Sequence, residues 1–202
     1  MTKVAIAVFA SGTGSNARRL YELAAKGTLA PAHVALLVSD QPESKAVAFA
    51  KGVGLPVFAM RHKDAGGKDA WEKAVVAKLA EYDISLIVLA GYMRLVGPVL
   101  LRAYGGRMIN LHPSLLPEFK GLDAISQALK AGVAKTGVTV HYVTEGLDDG
   151  PIIAQKHVAI LPDDTKDTLS ERIHAAEHEL LPTVVRTLCL DIKEKNNGKG
   201  SN

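Results

Sequence analysis

Cysteine is almost missing from this sequence: Cys189 is the single one in 202 residues. One thiol excludes an internal disulfide framework and a zinc cluster built on several cysteines. No apolar run reaches the ~18–20 residues of a membrane-spanning helix, so no membrane partner is expected. An excess of one charge is also lacking, since 24 Lys and Arg face 21 Asp and Glu, a net charge of +3. That balance argues against nucleic acid as a partner, because nucleic-acid binding needs a concentrated basic stripe.

The composition is that of a globular chain, with 48% apolar and 22% charged residues. Its length fits one domain, and we assign residues 1–190 to it and residues 191–202 to a polar C-terminal tail. The apolar start, Val4–Phe9, runs directly into a glycine loop. This ending is typical of a strand and not of a secretory signal, so a cytoplasmic protein is the default expectation.

Strands and helices are predicted to alternate as far as Leu111. The predicted strands are Val4–Phe9, His33–Ser39, Pro56–Met60, Ile84–Ala90 and Arg107–Leu111, and the predicted helices are Ser15–Lys26, Glu43–Lys51, Lys68–Tyr82 and Pro98–Tyr104. This alternation predicts an α/β fold, a mostly parallel twisted sheet with helices on both faces. Further along, the predicted elements are a helix at Ala124–Lys130, an antiparallel strand pair, Gly137–Thr144 and Ile152–Ile160, and a long final helix, Asp167–Leu190.

The segment from Ser11 to Asn16 reads Ser-Gly-Thr-Gly-Ser-Asn and joins the first strand to the first helix. Such a loop presents backbone N–H groups and the positive end of a helix to an anion, which suits a phosphate monoester. Ala17 and Arg18 stand where a dinucleotide fingerprint would have its third glycine, and no P-loop lysine follows. The loop alone leaves two interpretations open: a phosphate site, or a tight turn with Ser15 as the helix cap.

Asn110 and His112 lie at the carboxyl end of the predicted strand Arg107–Leu111, at the sheet edge where α/β proteins bind ligands. One residue separates them, so an extended chain lets both side chains face the same side. An amide donor and an imidazole that point to the same place suit an oxyanion. The alternative is a histidine that is hydrogen-bonded to backbone groups of the proline-rich loop. Asp148 and Asp149 lie in a glycine-rich turn, and one of them is a candidate carboxylate partner for His112.

Residues 174–178 read His-Ala-Ala-Glu-His and match a short zinc pattern. No third ligand is indicated, so we interpret His174 and His178 as surface and groove residues and expect no metal. Lys68 follows two glycines at a predicted helix start. Its side chain either contacts an anion or is simply solvated, and the sequence leaves both interpretations open.

Five segments, in this order and spacing, resemble the phosphoribosylglycinamide formyltransferase family. They are Ser11–Asn16, Leu89–Arg94, Ile109–Pro117, Gly137–His141 and Leu147–Pro151, and the resemblance runs from residue 3 to about 190. It implies a Rossmann-like fold and transfer of the formyl group of 10-formyltetrahydrofolate to the amine of 5'-phosphoribosylglycinamide, a step of de novo purine biosynthesis. It also implies small-molecule substrates, no metal, and either a monomer or a homodimer.

The resemblance further implies a role for each matching residue. Asn110, His112 and Asp148 look like the catalytic trio, Gly14, Ser15 and Asn16 match the substrate phosphate site, and Glu177 matches the acid at the substrate ribose. The positions that match the folate pocket are Lys68, Met93, Arg94, Leu95, Val96, Asn110, Val143, Thr144, Glu145, Gly146 and Leu147. The sequence departs from the family in the stretch Lys120–Ile125, where Ile125 stands in place of a common histidine.

Three rival functions share features of this sequence. A methionyl-tRNA formyltransferase would need an RNA-binding domain after residue 190, and a formyltetrahydrofolate hydrolase would need a regulatory domain before the first strand. A non-catalytic nucleotide- or folate-binding protein of the same fold would have no use for Asn110, His112 and Asp148 together. We therefore expect an enzyme that forms a formyl amide.

Overall fold

The computed structural model describes residues 3–199, and its secondary structure follows the predicted alternation. The strands are β1 (Val4–Phe9), β2 (Ala32–Ser39), β3 (Val57–Ala59), β4 (Leu86–Leu89), β5 (Met108–His112), β6 (Lys135–Tyr142) and β7 (Ile152–Ala159). The helices are α1 (Ser15–Ala25), α2 (Lys45–Gly52), α3 (Lys68–Glu81), α4 (Pro98–Tyr104), α5 (Ala124–Ala131) and α6 (Lys166–Lys199). Most boundaries agree with the sequence-based expectation to within two residues.

All seven strands form one sheet in the order β3-β2-β1-β4-β5-β6-β7. The pairs from β3 to β5 are parallel, whereas β5, β6 and β7 pair antiparallel. Every residue of β1 and β4 is buried, as expected for central strands that helices cover on both faces. The predicted Rossmann-like sheet with an antiparallel addition is therefore confirmed.

The side chains of β1 alternate between two cores. Ile6 and Val8 join one core with Leu20 of α1 and Val185 of α6. The intervening residues face the opposite core, which holds Trp71 and Leu79 of α3 and Leu100 of α4. Because neighbouring side chains on a strand point to opposite faces, this single strand anchors both helix layers.

The last helix is longer than predicted. We expected it to end at Leu190, but it continues to Lys199, because Ile192 still packs against the core. Residues 200–202 of the predicted tail lie outside the described residues. Cys189 is buried in this helix, and burial raises the pKa of its thiol to about 12, so it stays protonated and unreactive at neutral pH.

None of the helices within residues 3–199 is apolar over a length that could cross a bilayer.

A buried carboxylate fixes the segment that leads into α4. Glu72 of α3 is 1% exposed, and its two carboxylate oxygens accept the backbone N–H groups of Gly97, at 2.5 Å, and Leu100, at 3.2 Å. Gly97 has no side chain with which to cap α4, so Glu72 supplies the cap from a neighbouring helix. This contact holds the chain that follows β4 against the body of the protein.

We expect Glu72→Ala to lower the free energy of unfolding by about 2–4 kcal/mol, because two buried N–H groups lose their acceptors. Urea denaturation of parent and variant measures this loss. Glu179→Ala is the matched control, since Glu179 is exposed and forms a surface ion pair with Lys156, and loss of such a pair costs about 0–1 kcal/mol. Equal losses in both variants would show that the cap is energetically unimportant.

Candidate active site

A cleft of about 550 Å³ opens at the edge of the sheet where β1, β4 and β5 end. Strand order reverses between β1 and β4, and α/β proteins bind ligands in the crevice at such a reversal. The residues that line the cleft are Gly12–Asn16, Ala90–Leu95, Asn110–Pro113, Gly121–Asp123, Ile125, Leu147, Asp148, His174 and Glu177. The glycine loop, the end of β5 and the loop after β6 therefore contribute to one cavity.

Asn110, His112 and Asp148 come together at the floor of this cleft. Nδ2 of Asn110 donates to Oδ1 of Asp148 at 3.2 Å, and Nδ1 of His112 lies 3.3 Å from Oδ2 of the same carboxylate. As predicted, Asn110 and His112 lie one residue apart on a strand end and face the same side. In the structure both contact Asp148. The candidate carboxylate partner of His112 is Asp148, and Asp149 bonds instead to Thr144.

His112 is enclosed by oxygen atoms on both sides of its ring. Its Nε2 lies 2.9 Å from the carbonyl oxygen of Phe119, while Nδ1 faces Asp148. The imidazolium form satisfies both oxygens, because each ring nitrogen then carries a proton. Phe119 has a φ of +54°, and such a strained conformation persists only when its surroundings hold it in place.

Sequence analysis missed His141, which belongs to the same cluster. It lies on β6 directly opposite Asn110 in the antiparallel pairing, and its Nε2 is 3.1 Å from Nδ2 of Asn110 and 3.6 Å from Oδ1 of Asp148. Its Nδ1 lies 2.8 Å from the carbonyl oxygen of Tyr142, which suits an N–H donor there. Through Nε2, His141 therefore contacts both the amide of Asn110 and the carboxylate of Asp148.

Asp148 is held as a carboxylate. Burial raises its pKa, but the contact with His141, the backbone N–H of Gly121 at 2.9 Å and the charge of His112 outweigh burial, so the pKa of Asp148 lies below its usual range. The backbone at Asp148 has a φ of +49°, in the left-handed region, and its carboxylate contacts Asn110 and His112 of β5. The carboxylate is thus ionised and fixed between two imidazoles.

The glycine loop presents a helix end that no side chain caps. Gly14, with a φ of +71°, occupies the cap position of α1, and no acidic residue lies in the first turn. Ser15 is the first helical residue and not the cap, so the turn-with-cap interpretation of this loop is wrong. The first backbone N–H groups of α1 therefore remain available to an anion in the cleft.

Asn16 and Glu177 connect the start of α1 to α6. Nδ2 of buried Asn16 donates to Oε2 of Glu177 at 2.8 Å, while its Oδ1 has no partner among the described residues. Nδ1 of His174 lies 3.0 Å from the same oxygen, and this hydrogen bond, opposed by burial, raises the pKa of His174. Within residues 3–199, no group of three His, Cys, Asp or Glu side chains is arranged as a metal site.

Most of the predicted folate-binding residues line a second, narrower pocket of about 70 Å³. It includes Arg94, Leu95, Val96, Asn110 and the stretch Val143–Leu147. Met93 lines the larger cleft. The residues that this cleft shares with the narrow pocket are Tyr92, Arg94, Leu95, Asn110, Leu147 and Asp148.

Lys68 is the exception among the predicted folate-binding residues. It is exposed at the start of α3 and lines neither pocket. Its side chain lies beside Gly97.

Known proteins resemble this chain over nearly its whole length. The family described as formyl transferase matches residues 4–185. A phosphoribosylglycinamide formyltransferase of Bacillus subtilis is 49% identical over 182 residues, which are 90% of this chain and 93% of that protein. The crystal structure of the Bacillus halodurans phosphoribosylglycinamide formyltransferase has a TM-score of 0.87 at 51% identity and covers 91% of this chain and 94% of its own. The structure of glycinamide ribonucleotide transformylase 1 from Geobacillus kaustophilus gives a TM-score of 0.89 at 51% identity, with coverages of 93% and 99%.

Proposed function

The chain belongs to the formyl transferase family, and from this premise we propose that it is a phosphoribosylglycinamide formyltransferase. It transfers the formyl group of 10-formyltetrahydrofolate to the amine of 5'-phosphoribosylglycinamide, a step of purine biosynthesis. The observation that carries this assignment is a single cleft that holds both the uncapped start of α1 and the cluster of Asn110, His112 and Asp148. The first feature suits a phosphate monoester, and the second suits acyl transfer.

The lining of the cleft supports one orientation of the two substrates. The phosphate belongs at Gly14, Ser15 and Asn16, where the backbone N–H groups are free of side-chain caps. The carboxylate of Glu177, buried beside the cleft, is an acceptor for the ribose hydroxyl groups. The folate belongs partly in the narrow pocket and partly along the adjoining wall of the larger cleft at Met93 and Arg94, and the shared residues Asn110 and Asp148 bring the formyl group next to the acceptor amine.

The reaction is an acyl transfer without a covalent enzyme intermediate. The amine of the ribonucleotide attacks the formyl carbon, and negative charge develops on the formyl oxygen. The donors that stabilise this oxygen are the N–H groups of Asn110 and of the His112 imidazolium, each of which exchanges one of its present partners in the cluster for the formyl oxygen. The carboxylate of Asp148 stabilises the imidazolium and assists transfer of the amine proton to the folate nitrogen, which leaves as tetrahydrofolate.

We expect the reaction to be independent of metal ions. An amide, an imidazolium and a carboxylate supply the charge stabilisation directly, and His174 and Glu177 are already hydrogen-bonded to each other. Dialysis against a strong chelator should leave kcat unchanged, with a chelator-treated zinc enzyme as the positive control for removal. A loss of activity that zinc restores would instead indicate a metal at His174, Glu177 and His178.

The test of the function is a spectroscopic formyl-transfer assay with three acceptors: glycinamide ribonucleotide, water and charged initiator tRNA. We expect turnover with glycinamide ribonucleotide as the acceptor, and none with water or with tRNA. Turnover with tRNA or water would identify a tRNA formyltransferase or a hydrolase, and thermal stabilisation by ligands without any turnover would identify a binding protein. Residues 1–190 are proposed as one catalytic domain acting in the cytoplasm, as a monomer or homodimer.

A further inference from the structure

A buried carboxylate outside the reacting cluster lies where three loops meet. Asp40 follows β2, is 2% exposed, and lines neither pocket. Its Oδ1 accepts the hydroxyl of Ser11 at 2.6 Å, and its Oδ2 accepts Nε of Arg94 at 3.0 Å and Nε2 of Gln41 at 3.1 Å. Burial alone would raise the pKa of Asp40, but these hydrogen bonds outweigh it and hold the pKa below its usual range.

Ser11 extends this contact to the backbone after β4. The Ser11 hydroxyl donates to Asp40 and at the same time accepts the backbone N–H of Met93 at 3.0 Å. The backbone N–H of Ser11 also donates to the carbonyl oxygen of Gly91 at 3.0 Å. The ionised carboxylate can only accept, so it directs the Ser11 proton toward itself and leaves the hydroxyl lone pairs for Met93.

The two loops that Asp40 joins serve different substrates in the proposed function. Ser11 begins the loop that leads to the phosphate site at Gly14, whereas Met93 and Arg94 belong to the wall beside the folate. We propose that Asp40 is a positioning residue that couples the phosphate loop to the folate wall. Occupation of one site thereby orders the other. The inference rests on the proposed function, because it assigns one substrate to each loop.

The chemistry of the side chain distinguishes this role from general stabilisation. In Asp40→Asn one acceptor oxygen becomes an NH₂ donor. If that donor faces Arg94, two N–H groups oppose each other. If it faces Ser11, the hydroxyl has to accept from the amide as well as from Met93, and its own proton loses its acceptor. An asparagine therefore holds one loop but not both, and the link between the loops is lost while the volume of the side chain is kept.

The experiment measures the Kd of glycinamide ribonucleotide by calorimetry, with and without saturating tetrahydrofolate, which has no formyl group to transfer. Coupling between two sites is commonly 5- to 150-fold, so we expect the parent to bind at least about fivefold more tightly with tetrahydrofolate. The ratio should fall below about twofold in Asp40→Asn and Ser11→Ala, and Ser11→Thr should restore it. Because small misplacements reduce reaction rates, kcat in the first two variants should fall roughly 10- to 100-fold.

Asp164→Asn is the matched control. The side chain of Asp164 is 3% exposed and pairs with Arg172, as Asp40 pairs with Arg94. Asp164 lies outside both pockets. The control should keep the parental Kd ratio even if its Tm falls. A parental ratio of one, an unchanged ratio in Ser11→Ala, or an equal loss in Asp164→Asn would each overturn the coupling. If Asp40→Asn does not fold, the Kd ratio of Ser11→Ala tests the coupling.

A parent that transfers no formyl group to the ribonucleotide would overturn the proposed function and this coupling with it.

Discussion

Asp148→Asn should lower kcat for formyl transfer by roughly 10²–10³-fold, the usual cost of removing a group that stabilises charge in the transition state. Asparagine preserves the size of the side chain and its place between Asn110 and His112, but it cannot neutralise an imidazolium. The KM values of both substrates should change far less, because Asp148 acts where charge develops and not where the ground state binds. Steady-state kinetics with each substrate varied in turn measure the three parameters.

The pH profile gives this prediction a direction. Because the pKa of Asp148 is held below its usual range, the carboxylate stays ionised through mildly acidic pH. The parent should therefore lose the contribution of this group to kcat only as pH falls below the ordinary aspartate range, whereas the variant should lack that acid limb. Asp149→Asn is the control, since the neighbouring acid bonds to Thr144 and not to the cluster. If Asp149→Asn reduced kcat more than Asp148→Asn, the assignment of the carboxylate would be wrong.

Local sequence signals were sufficient for the strand ends that build the cluster. Asn110 and His112 follow an apolar run and alternate with Leu111, which is enough to predict a strand end with two polar side chains on one side. The distance from that strand to Asp148 depends on the antiparallel strands β6 and β7, whose turn-rich connection marks them as a pair. The family resemblance implies that the acid is Asp148, and the structure shows its carboxylate 3.3 Å from Nδ1 of His112.

The roles of His141 and Asp40 could not be predicted from local sequence patterns. His141 reaches Asn110 only because the register of β5 and β6 places the two residues opposite each other, and register depends on the whole sheet. Asp40 lies in a segment, Ser-Asp-Gln-Pro, that reads as an ordinary turn. Its partners Ser11 and Arg94 lie 29 and 54 residues away and meet it only because β2, β1 and β4 are neighbours in the sheet.

Gly14→Val should raise the KM for the ribonucleotide by roughly 10- to 100-fold, with a much smaller change in the KM for the folate. The magnitude corresponds to the loss of charge-assisted hydrogen bonds to a phosphate. Gly14 has a φ of +71°, which disfavours any other residue, and a Cβ there would lie 2.6 Å from Cβ and 2.9 Å from Cα of Ala46 in α2. The backbone of α2 cannot shift as easily as a flexible side chain, so the loop has to move. Its N–H groups then no longer point toward the anion.

A second glycine variant separates this local effect from general strain. Gly27→Ala imposes a similar backbone strain at a φ of +76° just beyond α1, at a position where a Cβ meets nothing within 4 Å. It should leave the KM for the ribonucleotide within about threefold of the parent, since it does not displace the start of α1. Parallel increases in the KM values of both substrates in Gly14→Val, or an equal increase in Gly27→Ala, would show that the loop supports the fold and does not hold the phosphate.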